Sequence, residues 1–315
     1  MSIPFNTLFL SLLLIVSCQP NEAVDYLHYE TGEKVDLYSM QWSTDSTCVV
    51  AGGKAWFEST ILITNNNGIN WRKIELPGRC IFSICKSKNQ DIFGCGIDKK
   101  IYKISKNHSS TVNFGEYIFF RSMDAWSDNH VLLVGGEAFR IGYIYKASLK
   151  DSVMKPFFEI ERELNVIHCF DSLRWMVAGY GIVLTTENAG MKWDTVDASG
   201  DHFMDVSFIQ DSIGYLCGAG GSIYKTRNFG RTWNVIRDAS SVFTSNQAFR
   251  TICFKDENDG LVAGESGIVW KTNNGGKDWT AWNNLPCVNY YDIQYNNGSF
   301  WLIGSNGTII SIAED

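Results

Sequence analysis

The sequence predicts an all-β fold, a seven-bladed β-propeller of four-stranded antiparallel blades, and three observations predict it. One short element, two apolar residues followed by any residue and Gly, recurs along the chain. It has seven copies separated by about 40 to 46 residues, which suits one four-stranded blade per repeat. A short apolar strand follows each copy, and in four repeats one tight-turn motif follows that strand. The glycines that end the element are Gly52, Gly96, Gly135, Gly179, Gly218, Gly264 and Gly304.

The tight-turn motif reads Thr-x-Asn-x-Gly-x-x-Trp in all four copies. The Asn side chain can hydrogen-bond its own backbone, Gly can adopt a positive φ, and the Trp opens the next strand with its ring beside the turn. We therefore assign these residues a structural role. They are Asn66, Gly68, Trp71, Asn188, Gly190, Trp193, Asn228, Gly230, Trp233, Asn274, Gly276 and Trp279.

The repeats resemble the BNR or Asp-box repeat, and most closely the propellers of the photosystem II stability and assembly-factor-like family. The segments from Gly214 to Thr226 and from Gly260 to Thr272 carry this pattern best. The resemblance covers the mature chain, although the second, third and seventh repeats lack the turn motif. It implies a propeller with a role in assembly. The family helps to assemble a photosynthetic complex, but nothing in this sequence indicates photosynthesis, so that partner is not transferred. Asn stands where the family usually has Asp in the four turns, which disfavours a metal site there.

The order of strands predicts how the ring closes. Each repeat is expected to contain an inner strand A, a strand B that carries the Gly element, a strand C, and an outer strand D. The seventh repeat ends at Ile312, after strand C. Its missing D strand is assigned to Val24 to Tyr29, which alternate in polarity. Closing one blade from both ends of the chain removes free strand edges, so residues 18–315 are predicted to form a single domain.

The N-terminus predicts export. The chain is almost wholly apolar from Phe5 to Val16, which is too short to span a bilayer but fits the apolar region of a secretory signal. The segment Ile15 to Cys18 resembles the bacterial lipobox, so residues 1–17 are assigned to a signal peptide and Cys18 to lipidation. The mature protein is then expected at the cell envelope, attached to a membrane only by its lipid. The alternative is ordinary signal cleavage, with Cys18 incidental.

Composition and charge disfavour several other functions. A net charge of −7 argues against nucleic-acid binding, which needs a basic surface. The chain has no Cys-x-x-Cys and only five scattered His, so no metal or other cofactor is predicted. Cys85, Cys169 and Cys253 recur near the same A-strand position of non-adjacent repeats, so they are interpreted as apolar fillers that cannot reach each other. A monomer is expected.

The candidate binding residues lie in the loops at one end of the ring. In a propeller the D–A and B–C connections surround one mouth of the central channel, and ligands often meet loops on a rigid scaffold. Two B–C loops are longer than their counterparts, a D–A segment is long, and two Arg occupy matching A-strand positions. The candidates are Trp56, Phe57, Glu58, Arg121, Glu137, Phe139, Arg140, His202, Phe243, Arg250, Tyr290 and Tyr291. The alternative is that the aromatic residues pack locally and the Arg residues form salt bridges between blades.

These observations predict a non-catalytic binding or assembly propeller that acts as a protein-protein interaction scaffold, with a protein or a glycan as partner. The alternative function is that of a sialidase-like or other glycan-acting hydrolase, because Asp boxes also occur in sialidases. Phe139 to Gly142 read Phe-Arg-Ile-Gly, which is superficially similar to the sialidase Phe-Arg-Ile-Pro motif. The segment ends in Gly, however, and lies in the third repeat rather than ahead of the first turn motif. No carboxylate pair can be assigned from the sequence.

Overall fold

The computed structural model describes residues 21–76, 78–105, 109–115, 118–198, 200–239 and 247–314. In these ranges the chain forms seven sheets, with two single-turn 3-10 segments at Glu265–Gly267 and Ser305–Gly307. None of the helices described there is long and apolar enough to cross a membrane. The structure confirms the predicted all-β, seven-bladed propeller. The predicted signal peptide and Cys18 lie outside the described residues.

Two short strands, β1 (Asn21–Ala23) and β2 (Leu27–His28), precede the first blade. Blade one contains β3 (Asp36–Trp42), β4 (Cys48–Lys54), β5 (Glu58–Thr64) and β6 (Arg72–Leu76). Blade two contains β7 (Ile81–Lys86), β8 (Ile92–Gly96), β9 (Lys100–Ile104) and β10 (Ser109–Asn113). Blade three contains β11 (Phe120–Ser127), β12 (His130–Glu137), β13 (Ile141–Ser148) and β14 (Val153–Ile160). Blades four and five contain β15 (Leu164–Cys169), β16 (Trp175–Gly179), β17 (Ile182–Thr186), β18 (Asp194–Val196), β19 (Phe203–Ile209), β20 (Ile213–Gly218), β21 (Ile223–Thr226) and β22 (Asn234–Arg237). Blades six and seven contain β23 (Phe249–Phe254), β24 (Gly260–Gly264), β25 (Val269–Thr272), β26 (Thr280–Asn283), β27 (Tyr290–Asn296), β28 (Ser299–Gly304) and β29 (Ile309–Ala313).

The first strands of neighbouring blades contact one another around the whole ring, so they line the central channel. Because successive strands are antiparallel, the B–C turns and the D–A connections share one end of the propeller, which we call the mouth face. The C–D turns, including the four Thr-x-Asn turns, lie at the opposite end, which we call the box face. Apolar side chains of facing sheets fill the space between blades, as where Leu132 and Val134 of blade three pack with Leu164 and Val177 of blade four.

The Thr-x-Asn turns share one hydrogen-bond pattern. In the turn of blade five, the Thr226 hydroxyl donates to Asn228 Oδ1 at 3.0 Å and accepts from the Gly230 N–H at 3.2 Å. Asn228 Oδ1 also accepts from the Thr232 N–H at 3.0 Å. The other three turns repeat these contacts, and Trp233 packs between blades four and five. The geometry matches the structural role that the motif predicts.

The last blade is closed by the N-terminal segment, as predicted. β2 pairs with β29 in antiparallel register, with Leu27 opposite Ser311 and His28 opposite Ile310. The Tyr29 N–H continues the pairing by donating to the Ile309 carbonyl at 3.0 Å. Blade seven therefore has the order β2-β29-β28-β27.

Blade six differs from the predicted four strands, because β1 adds a fifth. β1 pairs with β26 in parallel register, from Asn21 opposite Ala281 to Ala23 opposite Asn283. The outer strand of a blade has unpaired backbone groups at its edge, and β1 satisfies part of that edge. Asn284 then holds the end of β1: its Oδ1 accepts from the Val24 N–H at 3.0 Å and its Nδ2 donates to the Val24 carbonyl at 2.8 Å.

All eight cysteines in the described ranges are free thiols. Cys48, Cys80, Cys85, Cys95 and Cys217 are buried, in keeping with small apolar fillers. Cys287, between β26 and β27, is exposed at the mouth face.

Candidate functional site

A β-bulge near the start of every A strand builds the channel mouth. In each of β3, β7, β11, β15, β19, β23 and β27, the pairing with strand B skips the second or third residue. A bulge turns one side chain away from the regular alternation of the strand. The seven skipped residues form what we call the bulge ring: Tyr38, Phe82, Arg121, Asn165, Met204, Arg250 and Tyr291.

All seven members of the bulge ring line one cavity of about 570 Å³ at the mouth. Phe139, Glu163, His202 and Ala219 complete its lining. Five predicted residues therefore meet in this cavity, namely Arg121, Phe139, His202, Arg250 and Tyr291. A second cavity, of about 540 Å³, continues down the channel between the A strands.

The residue that precedes each bulge points the other way, into the core. These residues are Leu37, Ile81, Phe120, Leu164, Phe203, Phe249 and Tyr290, all with 0% exposure. Tyr290 was predicted at the mouth, and the structure corrects this, because its ring packs between blades six and seven. Its hydroxyl donates to the Pro286 carbonyl at 3.1 Å. The bulge separates Tyr290 from its neighbour Tyr291, which is the residue that reaches the cavity.

The two arginines of the bulge ring are each paired with a carboxylate. Arg121 Nε donates to Glu163 Oε1 at 3.2 Å, and Glu163 lies in the connection between blades three and four. Glu163 is only 4% exposed, and its other oxygen accepts from the Phe139 N–H at 3.0 Å. Arg250 Nε donates to Glu265 Oε1 at 3.1 Å within blade six. The alternative predicted from the sequence was that these arginines form salt bridges between blades, and the Arg121–Glu163 contact is one such bridge. Both guanidinium groups nevertheless remain partly exposed and line the cavity.

Three aromatic rings form a continuous arc on one side of the bulge ring. The ring of Tyr38 lies 5.1 Å from Phe82 and 4.6 Å from Tyr291, measured between centroids. Arg121 lies over Phe82 at 5.6 Å, and Arg250 lies over Tyr291 at 5.7 Å, so a guanidinium group stands at each end of the arc. Such stacking holds a guanidinium in place without using all its N–H donors.

Both tyrosines of the arc are neutral hydrogen-bond donors at neutral pH. Burial raises the pKa of Tyr38, and the nearby Asp36 carboxylate raises it further. Burial likewise raises the pKa of Tyr291. Both hydroxyls donate to Asp36 Oδ2, at 3.2 Å from Tyr38 and 3.4 Å from Tyr291.

The opposite side of the mouth carries a second aromatic group. Ala138 and Phe139 both have positive φ, of 53° and 62°, in the tight turn between β12 and β13. This turn brings the Phe139 ring to 5.4 Å from Tyr180 and 5.3 Å from His202. Phe139 and Tyr180 are 54% and 46% exposed, so they present apolar surface at the cavity rim.

His202 is a neutral imidazole at pH 7. Burial lowers its pKa most, and the guanidinium groups of Arg121 and Arg250 lower it further, against the opposing effect of Glu163 and Asp201. One ring nitrogen contacts the Asn165 side-chain amide. The position of His202 is thus fixed by a hydrogen bond and two ring contacts.

Five further predicted residues, all in described ranges, lie outside the cavity lining. Trp56 packs edge-on against Phe119 at 5.1 Å, with Arg79 over its ring at 5.2 Å. Phe57 is 79% exposed at the next position of the same turn. Glu58 lies on the same B–C hairpin of blade one, at the start of β5. Glu137 and Arg140 lie on the B–C hairpin of blade three, which joins β12 to β13, and do not line the cavity. Phe243 falls outside the described residues.

Sequence reasoning missed six cavity residues: Tyr38, Phe82, Glu163, Asn165, Met204 and Ala219. Four of them belong to the bulge ring, so they occupy the same repeat position as Arg121 and Arg250. The repeat alignment gives that equivalence, but it does not show that the side chain at this position faces the channel. Glu163 has no such signal, because it lies in a connection whose length differs between blades.

Below the ring, polar side chains of one A strand bind the backbone of the next blade. The Ser39 hydroxyl accepts from the Ile84 N–H at 3.1 Å, and Asp292 Oδ2 accepts from the Met40 N–H at 2.7 Å across the closure point. Asp205 makes the corresponding contact between blades five and six. In the described ranges no group of three or more His, Cys, Asp or Glu is arranged to hold a metal ion.

Comparison with known protein families gives one match. Residues 189–286, which include two complete Thr-x-Asn turns and the end of a third, match the family described as photosynthesis system II assembly factor YCF48. The match confirms the resemblance noted from the repeats. No curated protein sequence matches the chain.

Solved structures with the same fold cover nearly the whole chain. A structure described as YCF48 bound to D1 peptide is 14% identical, with a TM-score of 0.71, and the alignment covers 94% of this chain and 98% of that one. YCF48 from Cyanidioschyzon merolae is also 14% identical with a TM-score of 0.71, covering 92% and 99%. The structure of U3-55K reaches the same TM-score at 9% identity, covering 92% and 98%. At these identities the likeness concerns the fold.

Proposed function

We propose that this protein is a non-catalytic assembly scaffold that holds a segment of a partner protein at its channel mouth. The observation that carries the proposal is the bulge ring, because one structural device repeated in seven blades directs seven side chains into a single cavity. The blade interior supplies rigidity, so the ring is a preformed binding surface.

The chemistry of the mouth suits a peptide segment. The aromatic arc offers flat apolar surface, and Arg121 and Arg250 offer N–H donors at its two ends. Aromatic and Arg side chains are the residues that contribute most to binding energy at protein interfaces. The match to the assembly-factor family over residues 189–286 supports an assembly role, and the YCF48 structure with a D1 peptide supports a protein partner.

We further propose that the protein acts at the cell envelope. The lipobox-like Ile15 to Cys18 supports cleavage of residues 1–17 and lipidation of Cys18. The lipid then holds the propeller on a membrane, and Cys18→Ser is expected to abolish incorporation of labelled fatty acid.

Site-specific photocrosslinking tests the binding site. A photoreactive amino acid at Phe139, which is 54% exposed at the mouth, is expected to crosslink one partner protein through one segment. The matched control is the same amino acid at Met191, which is 83% exposed on the box face. Equal capture of the same partner from Met191, or capture only from Met191, would place the binding site elsewhere.

A further inference from the structure

β1 runs along the outer edge of blade six from the box face toward the mouth face. β1 pairs in parallel with β26, the outer strand of blade six. β26 begins at Thr280, directly after the box-face turn that ends at Trp279, and it runs toward the mouth face. Because the two strands are parallel, Asn21 is the end of β1 that lies nearer the box face.

The register of β1 against β26 also limits how far Cys18 can lie from the rim of blade six. Asn21 lies opposite Ala281, the second residue of β26, so β1 begins close to the box-face end of that strand. Cys18 precedes Asn21 by three residues. Three residues span at most about 11 Å even when fully extended, so a lipid on Cys18 must stay near this part of the rim.

Residues 21–29 are held on the ring by strand pairing and side-chain contacts, so they cannot act as a loose linker. Asn284 holds Val24 with two backbone hydrogen bonds, and β2 completes blade seven. The Tyr29 ring then stacks on Trp301 at 4.8 Å, and its hydroxyl lies 2.9 Å from the Ser311 hydroxyl.

We propose that the lipid anchor holds the box-face edge of blade six against the bilayer and directs the channel mouth away from it. The interaction surface is the box-face rim around Lys277, and its partner is the lipid surface. The bulge ring then opens toward the solvent, where a partner segment can reach it. This proposal rests on the lipidation of Cys18 proposed above, and it does not depend on what the mouth binds.

Distance-dependent fluorescence quenching tests the orientation on one blade. The full lipidated protein is placed in liposomes that carry spin-labelled lipid head groups, and a thiol-reactive fluorophore reports proximity to the bilayer. The native Cys287 thiol is exposed at the mouth face of blade six. Its matched partner is Lys277→Cys in a Cys287→Ser background, an exposed position on the box face of the same blade. Ser110→Cys in the same background, on the outer strand of blade two, is the far-rim control.

Quenching is expected to be several-fold stronger at Lys277→Cys than at Cys287, and weakest at Ser110→Cys. Equal quenching at all three sites would show a freely turning propeller, and stronger quenching at Cys287 would show the mouth facing the membrane. Either result overturns the orientation. Mass spectrometry of the same sample tests the lipidation of Cys18 separately from the orientation. If Cys18 carries no acyl chains, the lipid anchor is contradicted and the proposed orientation is contradicted with it.

Discussion

Arg121 Nε donates to Glu163 Oε1 at 3.2 Å, and this contact joins blade three to the connection that leads into blade four. The equivalent arginine of blade six, Arg250, pairs with Glu265 instead. The two ion pairs differ in the burial of the acid: Glu163 is 4% exposed and Glu265 is 42% exposed. Their energetic importance should therefore differ.

We expect Arg121→Ala to destabilise the fold by about 1–3 kcal/mol, because it leaves a buried carboxylate without its strongest partner. Arg250→Ala is the matched control. It should cost at most about 1 kcal/mol, since water solvates Glu265 when the arginine is removed. Urea unfolding followed by tryptophan fluorescence measures both. Equal losses in the two variants would contradict a special role for the burial of Glu163.

Ring closure predicts a large effect at Tyr29 and a small one at Leu27. Tyr29→Ala removes the stacking on Trp301 and the hydroxyl contact to Ser311, and should cost about 2–4 kcal/mol. Leu27 is in the same strand pair but is 64% exposed, so Leu27→Ala should change stability by less than about 0.5 kcal/mol.

Thermal unfolding of Tyr29→Ala and Leu27→Ala measures the two losses of stability. If both melt with the wild type, the N-terminal segment does not contribute to closure. Deletion of residues 23–30 should then be harmless too, whereas our account expects a loss of several degrees or more because the edge of blade seven becomes unpaired.

The channel carboxylate Asp205 should make stability depend on pH. Burial raises its pKa to about 6, although the Ile252 N–H and the Thr251 hydroxyl donate to it and lower the pKa. In the unfolded chain an Asp has a pKa of about 3.9. The folded state therefore binds more protons between these values, so this group makes stability fall as pH rises from about 4 to about 6.

Asp205→Asn keeps an acceptor oxygen and removes the titration. Relative to wild type, the variant should gain about 2–3 kcal/mol between pH 4 and pH 7.5, as the wild-type carboxylate ionises. Urea unfolding across this range gives the difference at each pH. A difference that stays constant with pH would show that Asp205 does not titrate in the native state as its burial requires.

The repeat pattern predicted the blades, their number and the closure of the last one, because each depends on local apolar periodicity and turn residues. The bulge ring depends on one extra residue in each A strand. In Ile81-Phe82 or Leu37-Tyr38 two apolar residues simply adjoin, and the sequence does not show which one faces the core. β1 could not be predicted either, since a parallel strand of three residues has too few positions for a pattern.

The candidate site likewise has residues that the sequence predicted and residues that it could not. The long turn with Phe139 and the matched arginines were visible as departures from the repeat. Glu163 was not, although it binds both Arg121 and Phe139, because its role comes from the distance between blades and not from its neighbours in the chain.

Binding at the bulge ring is the central claim, and affinity for the crosslinked partner segment tests it most directly. The segment is synthesised as a peptide, and its dissociation constant is measured by calorimetry with wild type, Tyr291→Ala and Met191→Ala. We expect Tyr291→Ala to weaken binding about tenfold, equivalent to a loss of more than about 1 kcal/mol, while Met191→Ala binds as wild type does. If Tyr291→Ala bound the peptide as tightly as wild type and Met191→Ala did not, the binding surface would be the box face and the account would be wrong.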